Sequence, residues 1–212
     1  MTCCQCEGYD SQFGDEHAKK DLDRYHKNGP DKTTRLLIDA LKAQGVDGAS
    51  LLDVGAGIGV VHHELLSAGA MTATHVDATA ANIAAAEAEA TRKGHRAKVT
   101  FVQGDFVARA NDIPPADVVT LDRVICCYPD MESLVAASAG KARRLYGAVY
   151  PRERWFIKGW LALDNWVRAL RRNPFRSYVH SVDAIDAAIG RQGLRRTTLH
   201  ETFVWRVAIY TR

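Results

Sequence analysis

The chain has 212 residues, enough for one α/β domain with a full core. Its 47% hydrophobic and 25% charged content exclude a disordered or fibrous chain. A formal net charge of +3 is too weak to point to nucleic acid by itself. No apolar run approaches the roughly 18 residues of a transmembrane helix, so stable membrane insertion is not expected. Met1–Glu7 lacks the basic and apolar regions of a signal peptide, and the cytoplasm is the expected location. Five cysteines fall in two clusters, Cys3/Cys4/Cys6 and Cys126/Cys127, which argues against a disulfide framework. The first cluster lacks paired metal-ligand spacing and a clear fourth ligand, so no metal is expected.

In chain order, a polar stretch from Asp15 to Lys27 reads as a helix stopped by Asn28-Gly29-Pro30. Asp31 then caps a second helix with Leu36, Leu37, Ile38 and Leu41 on one side. From residue 50 strands and helices alternate. Strands are expected at Ser50–Val54, Ala73–Val76, Ala97–Val102, Asp117–Leu121 and Tyr146–Tyr150. Helices are expected at Val60–Ser67, Ala80–Lys93 and Met131–Arg144. This alternation predicts a parallel sheet with helices on both faces. A further helix starts at Ser181. Two strand-like runs, Arg195–His200 and Thr202–Tyr210, end the chain with only a short step around Glu201 between them, so they are antiparallel neighbours. The fold expected is a doubly wound α/β, seven-stranded, mostly parallel sheet with its last strand antiparallel. Residues 1–49 form an N-terminal helical cap and residues 50–212 the main domain, with an aromatic insert at about 152–180.

The most informative segment is Leu51-Leu52-Asp53-Val54-Gly55-Ala56-Gly57-Ile58-Gly59. It reads as a buried strand, a glycine-rich turn and a helix start. Glycines remove the Cβ and permit positive φ, so backbone approaches a ligand closely. A dinucleotide fingerprint would place its third glycine at position 60, which is Val60. The spacing here is G-x-G-x-G with Asp53 two residues before the first glycine, the pattern used for S-adenosylmethionine (SAM). Asp53 is placed to hold water or the amino end of that cofactor. Asp77, followed by Ala78, ends the second strand and is suited to accept from both ribose hydroxyls. Asp105 ends the third strand and is suited to the adenine amino group, with Phe106 or Ile58 against the ring. Asp122 ends the fourth strand, beside the expected sulfonium. All lie at C-terminal strand ends, where open α/β sheets bind ligands.

On Asp53-x-Gly55-x-Gly57-x-Gly59, Asp77, Gly104-Asp105-Phe106 and Asp122, the chain resembles the class I SAM-dependent methyltransferases over residues about 50–211. The resemblance implies a Rossmann-like methyltransferase fold, SAM as cofactor and methyl transfer as activity. Tyr128-Pro129 and Phe175-Arg176-Ser177-Tyr178-Val179-His180 resemble the magnesium-protoporphyrin O-methyltransferase family, which methylates a porphyrin propionate. That family usually has a histidine before Tyr-Pro, where this chain has Cys127.

Methyl transfer needs alignment and exclusion of water. A carboxylate acceptor needs no base, whereas a phenol, alcohol or amine can need one. His180 is the candidate base, set against a helix-capping role, and Tyr25 and His26 are candidates to close over the cofactor. His62 and His63 read as structural or surface residues. Proline follows rather than precedes Cys126-Cys127, so the pair does not match the nucleophile of cytosine C5 methyltransferases and reads as inert thiols. There is no Asn/Asp-Pro-Pro-aromatic motif of adenine N6 methylation. The segment Trp155–Val167, followed by Arg168, Arg171 and Arg172, suits a cover for a hydrophobic or aromatic acceptor. Packing against the core, a second subunit or a membrane surface are its alternatives. The function expected is methyl transfer to a small-molecule acceptor at oxygen, with a homodimer left open and no nucleic-acid partner. The alternatives are a non-catalytic SAM-binding or metal-sensing protein using the N-terminal cysteines, and an RNA methyltransferase.

Overall fold

The computed structural model describes residues 8, 9 and 12–212. The Cys3/Cys4/Cys6 cluster lies outside the described residues.

Helix α1 spans Asp15–Asn28 and α2 spans Lys32–Ala43. Gly29, at φ 70°, ends α1. The Asp31 carboxylate accepts from the backbone N–H groups of Thr33 and Thr34 and so starts α2. Then follow β1 (Ser50–Val54), α3 (Val60–Ser67), β2 (Thr72–Asp77), α4 (Ala80–Arg92) and β3 (Val99–Gln103). After one helical turn at Phe106–Arg109 come β4 (Ala116–Asp122), α5 (Met131–Gly140) and β5 (Ala142–Pro151). Helix α6 (Trp155–Leu170), α7 (Val182–Arg191), β6 (Arg195–Glu201) and β7 (Trp205–Thr211) complete the chain.

The seven strands form one sheet in the order β3-β2-β1-β4-β5-β7-β6. Neighbours from β3 to β5 pair parallel, and only β7 runs against both of its neighbours. The alternation of side chains along each strand divides the core. Leu51, Val118, Leu145 and Val207 face α2 and α3, with Leu37, Leu41 and Leu65. Their successors Leu52, Val119, Tyr146 and Ala208 face α5 and α7, with Leu134, Val135, Ile185 and Ile189. Strand order reverses between β1 and β4. That switch point opens a crevice at the C-terminal strand ends, where the glycine turn lies.

Several boundaries differ from the expectation, most of all at the junction of α5 with β5 and at the start of β7. The helix predicted to reach Arg144 stops at Gly140, and residues from Ala142 join β5. Pairing of Ala142 with Ala116 overrides local helix preference, and the Arg144 guanidinium is drawn to the carbonyls of Gln44 and Gly45 at the end of α2. The last strand begins at Trp205 rather than Thr202. Thr202 instead closes the reversal, its Oγ1 accepting from the Trp205 N–H at 3.0 Å.

Gly147 marks how closely α2 sits on the sheet. A Cβ there would come within 2.7 Å of Leu37 Cδ1 and 3.3 Å of Ile209 Cδ1. Gly147→Val is expected to lower stability by about 1–3 kcal/mol through overpacking. The check is the urea midpoint of unfolding, and an unchanged midpoint would contradict the close packing.

Candidate functional site

A cavity of about 540 Å³ opens at the switch point. It is lined by the cofactor-side candidates Asp53, Gly55, Gly57, Asp77 and Ala78, and by Asp105, Phe106 and Asp122. Tyr25 also lines it, and His180 is not among its lining residues.

The turn after β1 is built by three glycines with φ of 61°, 56° and 84° at Gly55, Gly57 and Gly59. A Cβ on Gly55 would strike Val124 at 2.6 Å, and one on Gly59 would strike His62 at 2.4 Å. A Cβ on Gly57 would meet nothing within 4 Å. Gly57 therefore leaves open space where backbone faces the cavity, while the other two allow tight packing behind the turn.

Each strand-end carboxylate is held in a different way. Asp53 is buried, its oxygens bonded to Thr120 Oγ1 at 2.7 Å and His62 Nδ1 at 2.9 Å. Burial raises its carboxyl to about 6, against the opposing effect of Thr120. Asp77 is also buried and raised by burial, while four hydrogen bonds favour its ionised form. These come from Gly57 N–H at 2.9 Å, Thr79 N–H at 2.9 Å, Thr79 Oγ1 at 3.0 Å and Asn82 Nδ2 at 3.1 Å. Asp105 accepts from the Val107 N–H at 3.0 Å and from the Tyr128 hydroxyl, 3.1 Å from both oxygens. Phe106 is buried in the main core cluster beneath the cavity floor. Asp122 accepts from the Thr34 hydroxyl and, at 3.1 Å, from Arg123 Nε. Burial raises Asp122 in the face of the neighbouring guanidinium.

Two catalytic candidates take other roles. The His180 ring stacks on Tyr178 and its Nε2 lies 3.0 Å from the Tyr128 carbonyl. It is spent on fixing the Tyr128 loop, so it does not present a base to the cavity. Tyr25 contributes its ring to the wall, but its hydroxyl donates to Glu64 at 2.5 Å. Burial and that carboxylate raise the phenol far above its usual value. His26 is engaged by Glu89 at 2.8 Å.

Other residues also line the cavity. His17 lines the cavity from α1, 3.3 Å from Asp21. Arg123, at φ 62°, reaches Asp31 at 2.6 Å as well as Asp122. Burial works against the Asp31 charge, yet Arg123 and the helix-cap bonds hold its carboxyl down at about 2. Cys126 and Cys127 both line the cavity, with sulfurs 3.7 Å apart. The hydrogen bond between them, with burial, raises the Cys126 thiol, and the same bond lowers that of Cys127. The far wall is aromatic. Phe13 lies edge-on to Phe175 at 5.4 Å and Tyr9 meets it at 6.1 Å. Helix α6 adds Ile157, Trp160, Leu161, Asp164 and Arg168. The Arg168 guanidinium bonds Asp164 at 2.6 Å and lies 5.0 Å from the Phe175 ring centre. Among the described residues no group of three His, Cys, Asp or Glu side chains is placed to hold a metal ion. None of the described helices is long and apolar enough to cross a membrane.

Residues 19–122 match the family model of the methyltransferase small domain. No curated protein matches the chain. Among solved structures, magnesium protoporphyrin IX methyltransferase (ChlM) from Synechocystis PCC 6803 with bound SAH is similar, at 18% identity and a TM-score of 0.71. That match covers 95% of this chain and 99% of the other. An O-methyltransferase family protein from Burkholderia thailandensis is 16% identical, with a TM-score of 0.73 over 96% of this chain and 62% of that one. An O-methyltransferase family 2 protein from Planctomyces limnophilus DSM 3776, in complex with Apigenin, is 17% identical, with a TM-score of 0.61 over 87% and 62% of the respective chains. At these identities the structures share the fold. The family-model match over residues 19–122, together with the shared fold and crevice, makes the chain similar to SAM-dependent methyltransferases. The segment that matches the methyltransferase small domain runs from α1 to the end of β4.

Behind the glycine turn lies a buried histidine cluster. His62 is 4.3 Å from His63 and 5.2 Å from His75, centre to centre. All three are buried, and among the described residues His63 and His75 have no hydrogen-bond partner on either nitrogen. Burial drives His62 and His63 down to about 3 and His75 well below its usual value. Between about pH 6.5 and 3 the unfolded chain therefore binds protons that the folded one refuses, and stability falls as pH falls. Asp53, raised to about 6, works the other way above its usual 3.8, as do the raised Asp77 and Asp122, but Asp31 and Glu89, both lowered to about 2, act with the histidines. The melting temperature is expected to drop steadily below about pH 6.5. His75→Phe, which replaces an imidazole beside Phe101, is expected to flatten that slope. A slope unchanged by the substitution in thermal melts at several pH values would contradict the assignment.

Proposed function

We propose that the protein transfers the methyl group of SAM to an oxygen of a small apolar or aromatic acceptor. The observation that carries this reading is the continuity of the cavity. One space runs from the glycine turn to the wall of Phe13, Phe175, Trp160 and Trp205. Its volume suits a ligand pocket. The residues present fit SAM, since Gly57 leaves room for close approach and the strand-end acids stand in sequence around it.

In this reading Asp77 receives the ribose hydroxyls while its bond to Gly57 fixes the turn. Asp105 faces the adenine amino group, oriented by Tyr128, and Ile58 and Phe106 border the ring. Asp53 stiffens the base of the amino-acid end through Thr120 and His62. Asp122 and Arg123 border the sulfonium side. Helices α1 and α6 act as covers that exclude water. When bound, SAM supplies a methyl carbon activated by positive sulfur. The protein's task is then to align the acceptor oxygen with that carbon.

The similarity to O-methyltransferase structures supports oxygen as acceptor, and the likeness to the protoporphyrin methyltransferase and the Apigenin complex supports a flat, unsaturated one. An acceptor carboxylate would need no base. For a phenol, His17 takes the place of His180 as candidate base, because it lines the cavity and pairs with Asp21.

Asp77→Ala is expected to weaken SAM binding by about tenfold or more, from loss of charge-assisted hydrogen bonds. Calorimetric titration checks this, and equal affinity in a folded variant would overturn the ribose contact. With a phenolic acceptor, His17→Ala is expected to lower kcat by about 10²-fold or more, while His180→Ala keeps most of it. The reverse ranking would restore His180 as base.

A further inference from the structure

Helix α6 is built inside out. Its cavity side carries the Asp164–Arg168 ion pair beside Ile157 and Leu161. Its outer side is apolar. Trp155, Gly159, Ala162, Leu163, Trp166 and Leu170 recur at i, i+4, i+7, i+8, i+11 and i+15, one stripe of a helix. Trp155 is 85% exposed, Trp166 60% and Leu170 65%. Phe203, 76% exposed and stacked on Phe156 at 5.2 Å, extends the patch. A contiguous exposed patch of large apolar side chains marks an interaction surface.

The rim of this stripe is of one sign. Arg154 precedes the helix, Lys158 lies at its edge, and Arg171 and Arg172 follow it, all exposed. Arg171 and Arg172 form no salt bridge among the described residues. Asp164 is turned to Arg168, and Glu153 pairs with Lys158, so among the described residues the unpaired charge of the rim is that of Arg154, Arg171 and Arg172. A second copy seated on the stripe by a two-fold axis would bring like-charged rims together. An anionic surface would complement them.

We propose that α6 lies flat on an anionic lipid bilayer, with Trp155, Leu163, Trp166 and Leu170 in the headgroup boundary and the flanking basic residues against lipid phosphates. Tryptophan suits this depth, because its ring is apolar and its N–H polar. The opposite side of the same helix lines the cavity. On the methyl-transfer reading above, docking would set the cavity wall against the layer in which an apolar acceptor dissolves.

The test is co-sedimentation with vesicles of phosphatidylcholine alone and of phosphatidylcholine mixed with phosphatidylglycerol, alongside tryptophan emission. Binding to the anionic vesicles is expected, with a blue shift and weakening by salt. The double variant Arg171→Glu/Arg172→Glu and the variant Trp166→Ser are each expected to cut partitioning by about tenfold or more. SAM titration of both variants should match wild type, which shows that they fold and separates this proposal from the cofactor reading. No sedimentation of wild type with either vesicle, or equal binding by the charge-reversed variant, would overturn the proposal. A dimer in light scattering that Trp166→Ser dissolves, without lipid binding, would overturn it in favour of a second copy.

Discussion

The site depends on one constraint: a glycine turn clamped between two buried carboxylates. Asp53 anchors the strand before it through Thr120 and His62, and Asp77 reaches across from β2 to take the Gly57 N–H. A buried carboxylate is costly unless it is hydrogen-bonded, and here each carries at least two bonds. The clamp therefore gains stability only when β1, β2 and β4 are in register. Asp53 pairs with His75 on one side and Thr120 on the other. Sheet order and turn geometry are thus one decision. A slip of one residue would turn Asp53 to the opposite face and leave its charge without partners.

A second node ties the N-terminal segment to this frame. Arg123 occupies a left-handed backbone conformation that costs a non-glycine residue about 1–3 kcal/mol. Its guanidinium is met by Asp31, Asp122 and the Thr34 hydroxyl. Asp31 is at the same time the cap of α2. The start of α2, the end of β4 and the edge of the cavity are therefore held by one charged cluster. Charge-assisted bonds worth about 1.5–3 kcal/mol each are large enough to offset the strain.

The glycine-turn side of the crevice was legible in the sequence because its signals are backbone signals. Glycines that need positive φ, and acids at strand ends, are dictated by the turn itself, and β1 and α3 fall where periodicity puts them. The opposite wall was legible only in part: Trp155–Val167 reads as a cover, but the side chains that meet it converge from distant helices. Nothing local marks His17 as a neighbour of this space. His180 stands outside the cavity lining for a physical reason. A histidine before a helix has the right chemistry for a base, but only the fold shows that Tyr128's carbonyl occupies its nitrogen. The end of α5 failed likewise, since a sheet partner overrode helix preference in Arg143 and Arg144.

The two halves of the cavity also differ in how far they are free to change. The glycine turn is fixed by main-chain bonds and buried charge, so almost any substitution there disturbs the fold as well as the ligand. The wall formed by α1 and α6 is carried on helices with one side in solvent, and only Ile157 of α6 is fully buried. Few buried contacts mean low local stability. Such a wall can shift to admit an acceptor without disturbing the sheet. The inverted polarity of α6 fits this division. A helix that places an ion pair inward and tryptophans outward gains little from packing on its own domain, so its closed position depends on what meets it from outside.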